Sequence, residues 1–109
     1  MPGQDKDFLK DIVLLRNDPE LVETIREKAL QGNSHAQYAL GLVYAEGRGV
    51  EEDLPEAWAW LTLAVMRGDE DAEQLRFVVA GQMRQDQFEE AEQRAAQYEA
   101  QLGNARTRQ

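Results

Sequence analysis

The sequence predicts an all-α protein folded as a short α/α solenoid of about three helical hairpins. Three observations carry that expectation. Apolar residues recur at helical spacing through most of the chain, in runs separated by Gly, Asn, Asp and Pro. Gly32-Asn33-x-x-Ala36 returns as Gly68-Asp69-x-x-Ala72, an offset of 36 residues, and a repeat of that length marks stacked supersecondary units. One central helix is apolar almost all round whereas the last has a strongly polar face, as expected where each hairpin is covered by its neighbour and the final helix caps the stack.

Taken in order, residues 1–4 form a flexible start, and Phe8, Leu9, Ile12, Val13 and Leu15 place a first helix over Asp5 to Arg16. Asn17-Asp18-Pro19 ends it. Asp18 is a good N-cap with Pro19 at the first helical position, and Leu21, Val22, Ile25, Ala29 and Leu30 form the apolar stripe of a second helix that ends at Gly32. A third helix, capped by Ser34, runs to about Glu46 through Ala36, Tyr38, Ala39, Leu40, Leu42, Val43, Tyr44 and Ala45. Gly41 in its middle costs roughly 1 kcal/mol against alanine, which points to a close approach by another helix.

Gly47 and Gly49 then allow a tight turn, and Asp53 or Leu54 precedes a fourth helix that has Pro55 in its first turn and stops at Gly68. A fifth helix spans Glu70 to Arg84, weakened near Gly81. The sixth starts at a capping box of Asp86 and Glu89 and carries Phe88, Ala91, Ala95, Tyr98 and Leu102 on one face. Gly103 closes it, leaving residues 104–109 as a disordered tail.

Composition narrows the function. A chain of 109 residues fits one domain, spanning residues 5–103 in this reading, and a 42% hydrophobic content is too apolar for a wholly disordered chain. Cysteine is absent, which removes disulfides, thiolate metal sites and cysteine nucleophiles. The longest apolar run, Ala57 to Met66, is about half of the ~20 residues a membrane-spanning helix needs, and the N-terminus does not read as a signal peptide, so a cytoplasmic location is expected. The net charge of −9, concentrated after residue 50, disfavours nucleic acid and anionic membranes and suits a basic protein surface.

The residues Ala36, Tyr38, Leu40, Gly41, Tyr44, Gly47, Gly49, Val50, Asp53, Ala57, Trp60, Ala64 and Gly68 resemble, in order and spacing, the Sel1-like repeat family, relatives of tetratricopeptide repeats. The resemblance gives one full repeat over about residues 33–68 and a degenerate terminal repeat over about 69–103, where Leu75-Arg76-Phe77 replaces the family's alanine-leucine-glycine. It implies an α/α solenoid whose family members act mainly as adaptors or scaffolds, often in bacteria. It further implies that the first helix of each hairpin lines a concave groove, which places His35, Tyr38, Leu42, Ala45 and Glu46 toward a partner, with Asp71, Gln74, Val78 and Gln82 as their counterparts. Tyr38 reads equally well as core.

No catalytic residue, cofactor or metal ligand set can be assembled from the sequence. His35 is the single histidine and reads as a surface residue or a binding contact. Gly47-Arg48-Gly49 lacks the ending of a phosphate loop and reads as a turn. The carboxylates Glu51 to Asp53 and Asp69 to Asp71 lie where helix starts favour negative charge. Trp58 and Trp60 cannot share a helix face; Trp60 fits the core, and Trp58 either packs on the adjacent hairpin or stands as an exposed anchor. The expected function is a non-catalytic adaptor or scaffold binding a protein or peptide on a helical groove. The alternative is a self-associating structural or regulatory subunit, a homo-oligomer within a larger complex.

Overall fold

A computed structural model describes residues 18–107, with side chains through Gly103. The described residues form five helices and no strand: α1 (Pro19–Leu30), α2 (Ser34–Glu46), α3 (Leu54–Met66), α4 (Glu70–Ala80) and α5 (Gln85–Thr107). The helix expected over Asp5 to Arg16 and the flexible start lie outside the described residues.

Side-chain caps set the helix starts. The Asp18 carboxylate accepts from the backbone N–H groups of Glu20 and Leu21 at 3.0 and 3.4 Å, and Pro19 supplies the first helical residue without a donor to satisfy. Asn33, one residue before the serine expected to cap, accepts from Ala36 N–H at 3.0 Å. Asp53 accepts from Glu56 N–H at 3.1 Å and Asp69 from Ala72 N–H at 2.9 Å. The repeat read from the sequence is therefore a repeat of geometry. Gly32 and Gly68 turn the chain at φ +94° and +90°, and the next residue of each pair caps a helix through an alanine N–H.

α3 is the hub of the fold, flanked by α2, α4 and α5. Ala57, Ala59, Trp60, Leu61 and Ala64 have no exposed surface, which is what a helix apolar all round requires. α1 buries Val22, Ile25 and Ala29 against the other side of α2, and the Gln37 side-chain amide, fully buried, donates to the Ala29 carbonyl at 3.2 Å and fixes that crossing. Between α2 and α3 the backbones come close at Gly41. A Cβ there would stand 2.5 Å from Leu61 Cγ and 3.3 Å from the Ala57 carbonyl oxygen, so the glycine is demanded by packing. Gly49, at φ +78°, lies with its Cβ position 3.0 Å from the Asp18 carbonyl, so the α2–α3 turn folds back onto the start of α1.

The second half departs from expectation at three places. α4 stops at Ala80 rather than Arg84, because Gly81 begins a turn. α5 starts at Gln85, and its reciprocal cap is made by Gln87, whose side-chain oxygen accepts from Arg84 N–H at 3.0 Å; Asp86 instead pairs with Arg84 Nε at 3.2 Å. α5 also runs through Gly103 to Thr107, so residues 104–107 of the expected tail are helical. A glycine lowers helix propensity by about 1 kcal/mol without enforcing a stop, and Leu102 beside it is buried in the core.

Candidate functional site

The groove stripe read from the sequence spans two helices, and the fold treats its two halves differently. On α2, His35 and Ala45 are half-buried and Glu46 is exposed. Tyr38 and Leu42, the expected apolar contacts, are each only 6% exposed. Tyr38 sits in a cluster with Ala57, Leu61, Ala64, Ala72 and Val79, because α3 and α4 together cover it. Leu42 belongs to the other cluster, with Val22, Ile25, Leu40 and Trp60. Both are core residues: Tyr38 takes the core alternative, and Leu42 is a correction to the groove reading. The four counterparts, Asp71, Gln74 and Val78 on α4 and Gln82 in the turn that follows it, are all exposed. His35 and Asp71 meet at the rim of an open recess of about 390 Å³ that Ser34, Arg67, Asp69 and Glu70 complete.

Apolar surface lies on α4. Val78 is 54% exposed and its neighbour Phe77 is 82% exposed. Phe77 was not singled out as a contact by sequence reasoning. The signal for it was present: at the 36-residue offset Phe77 stands where the first repeat has Gly41. A large aromatic ring in the position of a close-packing glycine either breaks the packing or points elsewhere.

Trp58 takes the packing alternative. Half-buried, it meets the Phe88 ring edge-on at a centroid distance of 5.1 Å, and the Arg76 guanidinium lies 5.5 Å from its ring centre. Arg76 also donates to the Thr62 hydroxyl at 3.3 Å. These contacts tie α3 to both α4 and α5, so Trp58 is a strut of the last hairpin.

A second feature absent from the sequence reading is a polar network between α3 and α5. Glu56, 8% exposed, accepts from Trp60 Nε1 and from an Arg94 guanidinium nitrogen, both at 3.0 Å, and from the Tyr98 hydroxyl. Arg94 also reaches Asp53 and Glu90 at 3.0 Å, and the Tyr98 ring stacks on Trp60 at 4.3 Å. Burial, and then the hydrogen bond to Glu56, push the Tyr98 hydroxyl up to about 12, so it remains a donor at neutral pH. Burial alone would lower the pKa of Arg94, but the hydrogen bond and charge of Asp53, with Glu90 and Glu56, raise it and hold the cation. Every polar group named here has a partner inside the network, which suits a clamp holding α5 on α3.

Among the described residues no three His, Cys, Asp or Glu side chains converge on a metal position, and no helix is long and apolar enough to cross a membrane. Residues 34–69, from the first residue of α2 to the cap of α4, match the family model of the Sel1 repeat. This segment is a Sel1 repeat. Such repeats are typically protein-interaction modules. The chain is also similar to the alginate biosynthesis protein AlgK of Azotobacter vinelandii, at 39% identity over 54 residues that make up 50% of this chain and 12% of that protein. Only a small part of that relative's length is therefore shared.

Proposed function

We propose that this chain is a non-catalytic adaptor or scaffold that binds a protein or peptide segment along the face shared by α2 and α4. The observation that carries the reading is the exposed apolar surface of α4, Val78 at 54% beside Phe77 at 82%, set among the polar side chains of Asp71, Gln74 and Gln82. Aromatic and aliphatic side chains that stay in water on a folded domain are the usual anchors of interfaces, and a polar rim supplies orientation. With Tyr38 and Leu42 in the core, the binding face comprises His35, Ala45 and Glu46 from α2, Asp71, Gln74 and Val78 from α4, and Gln82 from the turn after α4. Its net negative charge favours a partner surface carrying Lys or Arg.

Affinity capture from the source cell's lysate, compared with a Glu46→Lys/Val78→Asp variant, tests this reading. Both positions are exposed, so the variant keeps its helicity, which circular dichroism checks. The expected result is at least one protein held by the natural chain and lost by the variant. Unchanged capture by the variant contradicts the face, and recovery of the chain alone favours a self-associating subunit.

A further inference from the structure

At the 36-residue offset, Ser34, Gln37, Tyr38 and Gly41 on α2 correspond to Glu70, Glu73, Gln74 and Phe77 on α4. The first stripe is closed by a helix of the same chain. α3 comes down on Gly41 through Leu61 and Ala57 and packs on Tyr38, while Gln37 beside them is buried with its amide on the Ala29 carbonyl of α1. The second stripe is not. α5, which takes the place of α3 in the second repeat, packs along α3 instead of along α4, and Glu70, Glu73, Gln74 and Phe77 line an open recess of about 570 Å³. The face of α4 that repeat geometry assigns to an antiparallel helix thus has no helix on it among the described residues.

We propose that this face of α4 takes a basic amphipathic helix from a partner protein, seated as α3 is seated on α2. The inference rests on the binding role proposed above and names the partner's chemistry and a seat adjoining the groove. Charge complementarity selects the occupant: the first turn of α4 carries Glu70, Asp71 and Glu73, and its last turn has no basic residue. An antiparallel helix brings its C-terminal turn to that acidic end, where Lys and Arg are favoured both by the carboxylates and by the partner's own helix dipole. Phe77 sets the register. Standing where the first repeat has glycine, it projects into the seat and requires a small residue, Gly, Ala or Ser, on the incoming helix at the crossing.

Selection of a random-peptide display library on the intact protein tests the seat. The enriched peptides are expected to carry net positive charge, apolar residues at helical spacing and a small residue between them. Their affinity should fall at least about tenfold in Phe77→Ser, as for a central aromatic anchor, and comparably in Glu70→Lys/Glu73→Lys. Added salt should weaken binding. All three positions are exposed, so circular dichroism should show these variants folded. Enrichment of neutral or acidic peptides, or binding indifferent to these variants, overturns the seat. Peptides lost only in Glu46→Lys/Val78→Asp overturn it while leaving the proposed groove standing, and a library with no enriched binder counts against both.

Discussion

The α2–α3 and α4–α5 hairpins start alike and end differently. Each opens with a glycine at positive φ and an Asn or Asp that caps the first helix through an alanine N–H. Seven residues into each helix the two diverge: Gly41 lets α3 close onto α2, whereas Phe77 stands 82% exposed on α4 and α5 settles on α3. A single position in the repeat thus separates a helix face used for folding from one left open. What the second hairpin loses in direct α4–α5 packing it replaces with the Trp58, Arg76 and Phe88 contacts and the Glu56, Arg94 and Tyr98 clamp.

The largest expected effect breaks the first hairpin. Gly41→Leu should cost at least about 3 kcal/mol, enough to unfold a marginal domain, because its side chain has nowhere to go but into Leu61 and the α3 backbone. Thermal melts followed by circular dichroism read this directly, and a melting temperature within a few degrees of the natural chain would mean the helices are not in close contact.

Next comes the clamp of the second hairpin. Glu56→Ala strips partners from Trp60 Nε1, Arg94 and the Tyr98 hydroxyl at once, and should lower unfolding free energy by about 2 to 3 kcal/mol. The loss should be smaller in a background that already carries Arg94→Met, a coupling that denaturant titration of the double-mutant cycle measures.

The smallest effect concerns what the hairpins share. Asn33→Ala and Asp69→Ala should each cost about 1 kcal/mol, since they remove equivalent caps. Urea unfolding of the two variants compares them, and widely unequal losses would show that the repeat frames are not energetically alike.

Much of this fold was legible because its signals are local. Asp18-Pro19, Gly32-Asn33 and Gly68-Asp69 act on neighbouring N–H groups, so their residue types reveal the helix starts, and Gly41 declares a close approach by being costly anywhere else. Adjacent candidates blurred the detail: Asn33 rather than Ser34 caps α2, and Gln87 rather than Glu89 closes the α5 box. What depends on how the helices stack was not legible. Tyr38 and Leu42 lie on the predicted stripe, yet burial is decided by neighbouring helices that helical periodicity does not place. The Glu56–Arg94 contact joins residues far apart in sequence, with no motif linking them. Phe77 was readable only by asking what a non-glycine does at a glycine position of the repeat.

The account stands or falls on whether the α4 face is open in solution. The natural chain has no cysteine, so a single thiol reports its own surroundings. Thiol-reagent labelling under native conditions of Phe77→Cys, with Ala57→Cys as the buried reference, measures this directly. Residue 77 should react at close to the rate of an unstructured peptide and residue 57, fully buried, orders of magnitude more slowly, limited by opening of the fold. Protection of position 77 approaching that of position 57 would mean that another part of the chain or a second copy already covers the face, and would contradict the account.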